Sequence, residues 1–326
     1  MTLQLTDDFL YLPDASLAAL NIPPAEIADA IETALVAKSE GRLHVTPKSA
    51  LLPGGGRYMM STLAVGDEGL TVLKTVAVCP DNTSRDLPAI NGAIMVLDAE
   101  TGLLRAVLGA NWITAHRTAA LSVVAARRMA DPASHTIGFI GCGVQAHSHL
   151  TAFRDFLPLN RVLAYGRGTA NRDALCAAAE SLGLKAKATS AEDVLAQSDI
   201  IVTSVTLDYT ITPFLDANLL KPNAFASITD LCIPWMPDSM NIFDTIIVDD
   251  LEQEKSAEKP MVDAAAIIGD LTDLVTGKVA KTDSPSAFAF RGIALGDYAA
   301  SALALRRAEA TGAGQRVIAG AGDSTG

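Results

Sequence analysis

The chain has 326 residues, of which 49% are hydrophobic, 19% charged and only 5% aromatic. That is length for two domains with cores of their own, and it excludes a disordered or fibrous chain. Acidic residues outnumber Lys and Arg by 37 to 25, a formal charge of -12, which opposes a nucleic-acid partner and obliges any anionic ligand to find positive charge concentrated locally.

From Pro23-Pro24 the segment AEIADAIETALVAKSEG sets Ile27, Ala30, Ile31, Leu35 and Val36 on one face, predicting an amphipathic surface helix that ends before Gly41. The runs RYMMSTLAV, LTVLKTVAV, AIMVLD and LLRAVLG are separated by turn signals such as Gly66-Asp67 and Pro80-Asp81-Asn82, and predict a largely antiparallel sheet. WITAHRTAALSVVAARRMA reads as an Ala-rich helix. Beyond Asp131-Pro132 strand-like TIGFIG, RVLAYG, SDIIVTSV, FASITD and DTIIVDD alternate with helical stretches, which is the pattern of βαβ units and a parallel sheet. LGDYAASALALRRAEA predicts a last helix that returns to the first domain, and AGAGDSTG a frayed tail. The expected fold class is α/β: a dinucleotide-binding domain over 119–295 inserted in an α+β domain made of 1–118 plus 296–326.

No apolar run approaches the roughly 20 residues of a membrane span, and MTLQLTDDFLYLPDASLAAL carries acids where a secretory leader is basic. Cys79, Cys142, Cys176 and Cys232 are too scattered for a metal set or a CxxC pair. A cytoplasmic protein with reduced thiols, no membrane partner and no metal is expected. His147 and His149 stand two apart on a helix, so they point away from each other.

The most informative segment is HTIGFIGCGVQAHSHL. An apolar strand runs into Gly141-Cys142-Gly143-Val144-Gln145-Ala146 and then a helix: Gly141 permits a tight turn, Gly143 lets backbone approach a pyrophosphate, and Ala146 packs close on the sheet. NAD(H) or NADP(H) is the expected cofactor. At the end of the second strand, where NAD-specific sites carry an acid, stand Gly166 and Arg167; the guanidinium can hold a 2′-phosphate or stack on adenine. Thr203 to Thr206, at the C-terminal end of another strand, belong to the nicotinamide side of such a cleft.

Cations collect upstream. Period-2 alternation puts Lys74 on the same strand face as Val72, Val76 and Val78, which is either a sheet-edge lysine with its head in water or a desolvated ammonium that can donate a proton or hold a carboxylate. Arg117 lies among small residues near the domain junction, as an interdomain ion pair or a ligand contact. Lys48, Arg57 and His116 are further cationic or titratable candidates.

VLKTVAVCPDN, LPAINGAIMVLDAETG, ITAHRTAALSVVAARRMA, IGFIGCGVQAHSHL and FAFRGIALGDYAASAL together resemble the ornithine cyclodeaminase/μ-crystallin family over nearly the whole chain. The resemblance implies a homodimer, a nicotinamide cofactor and hydride exchange at the α-carbon of an amino acid or its imine. By position it makes Lys48 a carboxylate-binding group, Lys74 the catalytic lysine, and Arg117 an arginine near carboxylate and cofactor. Thr83, Val144, Gln145, Thr206 and Gly292 match cofactor contacts. The family's catalytic aspartate falls in SITDLCIPWMPDSM, at Asp230 or at the position of Cys232. Where cyclodeaminases carry a glutamate for a distal amine, the matching strand offers Tyr58. With Lys48, Arg57, Lys74 and Arg117 as substrate-binding cations, that favours a small anionic imino acid and resembles the iminosuccinate reductases, which form aspartate. Cyclic ketimine reductase, alanine dehydrogenase and a non-catalytic NADPH-binding protein like μ-crystallin are the alternatives.

Overall fold

The computed structural model describes residues 8–281 and 285–318, the side chain of Thr83 apart; AGAGDSTG lies outside them. In chain order the elements begin with β1 (Phe9–Leu12), α1 (Asp14–Ala19), α2 (Pro24–Ser39), β2 (Leu43–Val45), β3 (Ser49–Gly54) and β4 (Arg57–Gly66). Next come β5 (Leu70–Val78), β6 (Ile90–Asp98), β7 (Leu104–Gly109), α3 (Ala110–Met129), β8 (Thr136–Ile140), α4 (Val144–Phe156), β9 (Arg161–Tyr165) and α5 (Thr169–Ser181). They are followed by β10 (Lys185–Ala188), α6 (Ala191–Gln197), β11 (Ile200–Thr203), β12 (Phe225–Ile228), β13 (Thr245–Val248) and α7 (Leu251–Lys255). The last are β14 (Ile267–Asp270), α8 (Leu271–Val275), β15 (Ser286–Ala289), α9 (Ala294–Thr311) and β16 (Gln315–Val317).

These elements form two compact units. One takes the described residues of Met1–Pro23, Ala37–Arg117 and Ile293–Gly326; the other takes Pro24–Val36 and Thr118–Gly292.

The first unit is built on a sheet ordered β16-β1-β7-β6-β5-β4-β2, with β3 also on β4; all its pairs are antiparallel except β1 with β7. Its register sets Thr62, Lys74, Ile94 and Leu108 side by side in one row. The side-chain period of two then puts Ala64, Val72, Val76, Val96 and Ala106 on the same face, and all of them are buried. Helix α9 packs across β4 and β5 on this face, so closely that a Cβ on Gly66 would lie 2.4 Å from the Tyr298 hydroxyl. Each fully buried Val or Leu here contributes on the order of 2 kcal/mol. On the outer face Met95 and, on β3, Leu51 are exposed.

The second unit carries an all-parallel sheet ordered β10-β9-β8-β11-β12-β15-β13-β14. Strands β8, β11, β12, β13 and β15 are buried throughout, as strands covered on both faces must be, and their continuous Ile, Val, Phe and Ala content follows from that. The order leaves chain sequence twice: β10-β9-β8 run in reverse from the first strand, and β15 returns between β12 and β13.

Helix α2 is the other difference. Counted by sequence with the first domain, its Pro24–Val36 part belongs to the second unit. Ile27, Ala28, Ile31 and Leu35 are buried, Val36 is exposed, and Asp29 and Glu32 pair with Arg127 of α3 at 2.7 and 3.0 Å while Glu32 also takes Arg128 at 3.0 Å. The helix is thus fixed by an apolar stripe and by acids facing the basic end of α3.

Candidate functional site

The second unit presents a glycine turn at the end of its first strand. Gly141 has φ +91, and a Cβ there would lie 2.5 Å from the Ser204 carbonyl oxygen, so only glycine fits. Gly143 caps α4 with an extended backbone, and a Cβ there would meet nothing within 4 Å. Open space against a helix N-terminus with no acid in its first turn is a place where backbone N–H groups can receive a phosphate. Val144 is exposed, Ala146 is fully buried, and Gln145 Oε1 is buried without a hydrogen-bond partner among the described residues. These features fit a pyrophosphate-bearing dinucleotide. Arg167 is exposed two positions beyond β9, with Gly166 before it.

Sequence reasoning missed what holds this turn from below. His149 is fully buried; its Nδ1 lies 2.7 Å from the Gln145 carbonyl, which can only accept, so Nδ1 carries the proton. Nε2 then accepts from Ser122 Oγ at 2.8 Å, and Ser122 accepts from Ser227 Oγ at 2.7 Å. Burial pushes the His149 pKa down to about 4, so the ring is neutral and the chain has one direction from β12 through α3 to the turn. The signal in the sequence was only a histidine on the apolar side of a helix. No group of three or more His, Cys, Asp or Glu among the described residues could hold a metal.

At the same C-terminal edge of this sheet, two strands along from the glycine turn, Asp230 follows β12. Thr203 Oγ donates to its Oδ1 at 2.9 Å and the Val205 N–H to its Oδ2 at 3.0 Å. Burial raises its pKa to about 6, against those two hydrogen bonds. Leu231 and Cys232 both have φ 58, a left-handed pair that costs each non-glycine residue about 1 kcal/mol or more. Cys232 packs with Trp235, Met240 and Phe243 in the apolar core, and burial holds its thiol well above the usual range. Of the two positions the sequence left open, then, Asp230 carries the titratable group near neutrality. Thr206 is exposed beyond β11. Gly292, at φ +88, donates its N–H to Asp249 Oδ2 at 2.7 Å. Thr83 lies outside the described side chains.

In the first unit the cations gather around an acid that sequence reasoning gave no role. Lys74, 1% exposed, donates from Nζ to Asp297 Oδ1 at 2.6 Å. Arg117 is also buried, with Nε 3.0 Å from the same oxygen, and Thr62 Oγ donates to Oδ2 at 3.0 Å. The Arg117 contact is an ion pair without hydrogen-bond alignment: neither Nε nor Nη1 has an acceptor among the described residues. Lys48, half-buried just before β3, adds its charge. Burial lowers the Lys74 pKa, Asp297 pulls it back, and Arg117 and Lys48 push it down again, to about 7. Arg57, expected among the substrate-binding cations, is not brought into this cluster. It is exposed and donates to the carbonyls of Gly54 and Pro53 in its own hairpin, and the β4 alternation turns it to the face opposite Thr62 and Lys74. His116 stacks on Trp112 and bonds that residue's carbonyl.

A parallel doubly wound sheet with a glycine turn after its first strand is the architecture of dinucleotide-binding domains. The chain belongs to the ornithine cyclodeaminase/mu-crystallin family, whose profile matches residues 19–312. The Δ(1)-pyrroline-2-carboxylate reductase 2 of Burkholderia ambifaria is 31% identical over 192 residues, which are 59% of this chain and 61% of that protein; the match thus spans about three fifths of that relative. The ketimine reductase mu-crystallin of Rattus norvegicus is 26% identical over 303 residues, 90% of each chain. Two solved structures share the fold: the iminosuccinate reductase of Paracoccus denitrificans in complex with NAD+, with a TM-score of 0.83 at 21% identity over 95% of this chain and 99% of that one, and an archaeal alanine dehydrogenase dimer with bound NAD, with 0.85 at 23% over 95% and 99%.

Proposed function

We propose that this chain is an NAD(P)H-dependent imine reductase that forms a small L-amino acid, and that its substrate is iminosuccinate, reduced to L-aspartate. The observation that carries this is the buried group of Lys74 and Arg117, with Lys48 beside it, around Asp297. The two buried cations Lys74 and Arg117 against one carboxylate leave a formal surplus of one positive charge, which a substrate carboxylate neutralises. The Asp297 charge is already engaged by Lys74, Arg117 and Thr62, so it is spent on the protein's own groups before any substrate ammonium. Unpaired guanidinium donors in a dry site cost about 1–3 kcal/mol each, and a substrate carboxylate on Arg117 removes that cost.

A bound nicotinamide supplies the hydride for the imine carbon. Gly143 leaves room for its pyrophosphate at the turn that Gly141 makes, and Arg167 is assigned to the adenosine ribose; Val144, Gln145, Thr206 and Gly292 are the remaining assigned contacts. Lys74 and Arg117 hold the α-carboxylate. A protonated Lys74 also favours a protonated imine, the better hydride acceptor, by supplying a proton at Nζ. Asp230 is assigned as the second proton-exchanging group, held in place by Thr203 and Val205. The free cysteines accord with a cytoplasmic enzyme, and the exposed Leu51 and Met95 of the outer face accord with a homodimer. No helix among the described residues is long and apolar enough to cross a membrane.

Reduction of a cyclic ketimine is the second candidate, favoured by the likeness to the Burkholderia and Rattus reductases. Following NADH and NADPH absorbance with oxaloacetate plus ammonia, pyruvate plus ammonia, and a pyrroline carboxylate separates them. Oxidation with the first mixture alone supports iminosuccinate. Oxidation with the pyrroline alone transfers the activity to cyclic ketimines, and with pyruvate alone to alanine formation. Tight cofactor binding with no turnover anywhere overturns the enzymatic function in favour of a carrier.

A further inference from the structure

Asp297 is the only acid in α9 before its exposed C-terminal turn, and it stands within a buried stretch from Ala294 to Ala302 that, Ser301 apart, is otherwise uncharged and largely apolar, with Leu295, Tyr298, Ala299 and Ala300. Its carboxylate is 1% exposed and touches three donors from three other elements: Thr62 on β4, Lys74 on β5 and Arg117 on α3. A helix that only needed to cover this sheet would be served as well by an apolar residue, since replacing buried ion pairs by well-packed hydrophobic groups is often neutral or stabilising. What an apolar residue cannot do is hold two cations against each other in a dry interior.

We propose that Asp297 is a positioning residue that keeps the Lys74 ammonium protonated and aimed, its two oxygens dividing the work: Oδ1 holds Lys74 and Arg117 in a shared contact, while Thr62 fixes Oδ2 and with it the carboxylate plane. The role rests on the imine-reductase function above, in which Lys74 is the acting group. Mutual repulsion with Arg117 and Lys48 and the loss of water all favour a neutral lysine here; the charged groups facing Lys74 are Arg117 on α3, Lys48 before β3 and Asp297 on α9, and only Asp297 opposes them. The pairing also spends no donor that a substrate needs, because Lys74 has three N–H groups and one is engaged by Asp297.

The test follows Lys74 itself, so that it does not depend on knowing the substrate. In protein labelled with 13C at lysine Cε, the Lys74 resonance is identified by its loss in Lys74→Met and titrated with pH. The midpoint expected in the wild type is near 7. In Asp297→Asn it moves down by about one pH unit or more, and in Asp297→Glu, which restores a carboxylate, it returns at least halfway. An unmoved midpoint in a folded Asp297→Asn protein overturns the proposal. Should that variant fail to fold by circular dichroism, Arg117→Met serves in its place: with the competing guanidinium gone the Lys74 midpoint rises, and a midpoint indifferent to Arg117 overturns the proposal equally. With a reducible imine in hand, the alkaline limb of kcat/KM moves with the Lys74 midpoint in Asp297→Asn, whereas a merely structural loss lowers the whole profile in place. A shifted resonance in an enzyme that reduces no imine upholds the positioning role and rejects the function; an unshifted one in an active enzyme does the reverse.

Discussion

Ser204 closes on Gly141 from more than one side. Its carbonyl oxygen lies 2.5 Å from where a Gly141 Cβ would be, and its hydroxyl donates to the Gly141 carbonyl at 3.3 Å. The end of β11 therefore abuts the end of β8 at the turn on which a dinucleotide would rest, and the two glycines of that turn have different reasons to be glycine.

Substitution separates those reasons. Gly141→Ala forces a methyl into backbone at φ +91 and is expected to destabilise the fold by about 1–3 kcal/mol. Gly143→Ala meets no protein atom, so its melting temperature stays at the wild-type value while NADH affinity, read by fluorescence titration, falls by about tenfold or more. Equal loss of stability in both would refute the assignment of open space to a phosphate.

Lys74→Met is expected to lower kcat/KM for the imine by about a thousandfold with NADH affinity retained. In the wild type the lysine must be charged to act. Because its folded pKa is lowered to about 7, kcat/KM is highest below that value and declines as pH rises through it, close to tenfold per unit. An alkaline limb centred near 10 would place the functional ammonium elsewhere.

The two arginines give opposite expectations. Arg117→Met removes buried donors without acceptors and should raise KM for a carboxylate substrate by about 10- to 100-fold. Arg57→Ala removes an exposed side chain that bonds its own hairpin, and KM is expected to stay within about twofold. A large KM effect at Arg57 would show that its hairpin folds over the bound substrate.

His149 makes stability depend on pH. Its pKa is about 4 when folded against the ordinary 6.5, so the unfolded chain binds the proton first, and the contribution of the neutral ring is present above pH 6.5 and lost as pH falls toward 4. The loss comes to about 3 kcal/mol. Asp230, raised to about 6, acts in the opposite sense over the same range, so the effect is read as the difference between wild type and His149→Asn in urea unfolding at a series of pH values. A flat difference curve would mean that the ring is not buried neutral.

Much of this was legible before any coordinates. The period-2 runs that became β4 and β5, the alternation of the parallel unit and the glycine turn are all patterns in which one backbone geometry demands one spacing. What was not legible depended on pairings between distant segments. Asp297 looked like one acid in an Ala-rich helix until α9 crossed β4 and β5 and set it against Lys74, 223 positions away. His149 likewise needed Ser122 from another helix to acquire a meaning. The strand β15 is short and apolar like its neighbours, and nothing local says that it pairs with both β12 and β13. SALLPG lacks the alternation of its neighbours and yet forms the edge strand β3, with a proline where an edge can accept one.

The row formed by Thr62, Lys74, Ile94 and Leu108 carries a consequence for how such a protein can change over time. Its buried ammonium is borne by a strand with pairing partners on both sides, so one added or deleted residue within β5 would turn it out of the interior and turn its apolar neighbours with it. Such an event loses the fold and the chemistry together. Changes in the segments around the row face no such constraint, and a lineage can explore new substrates there while the position of the lysine is inherited unchanged.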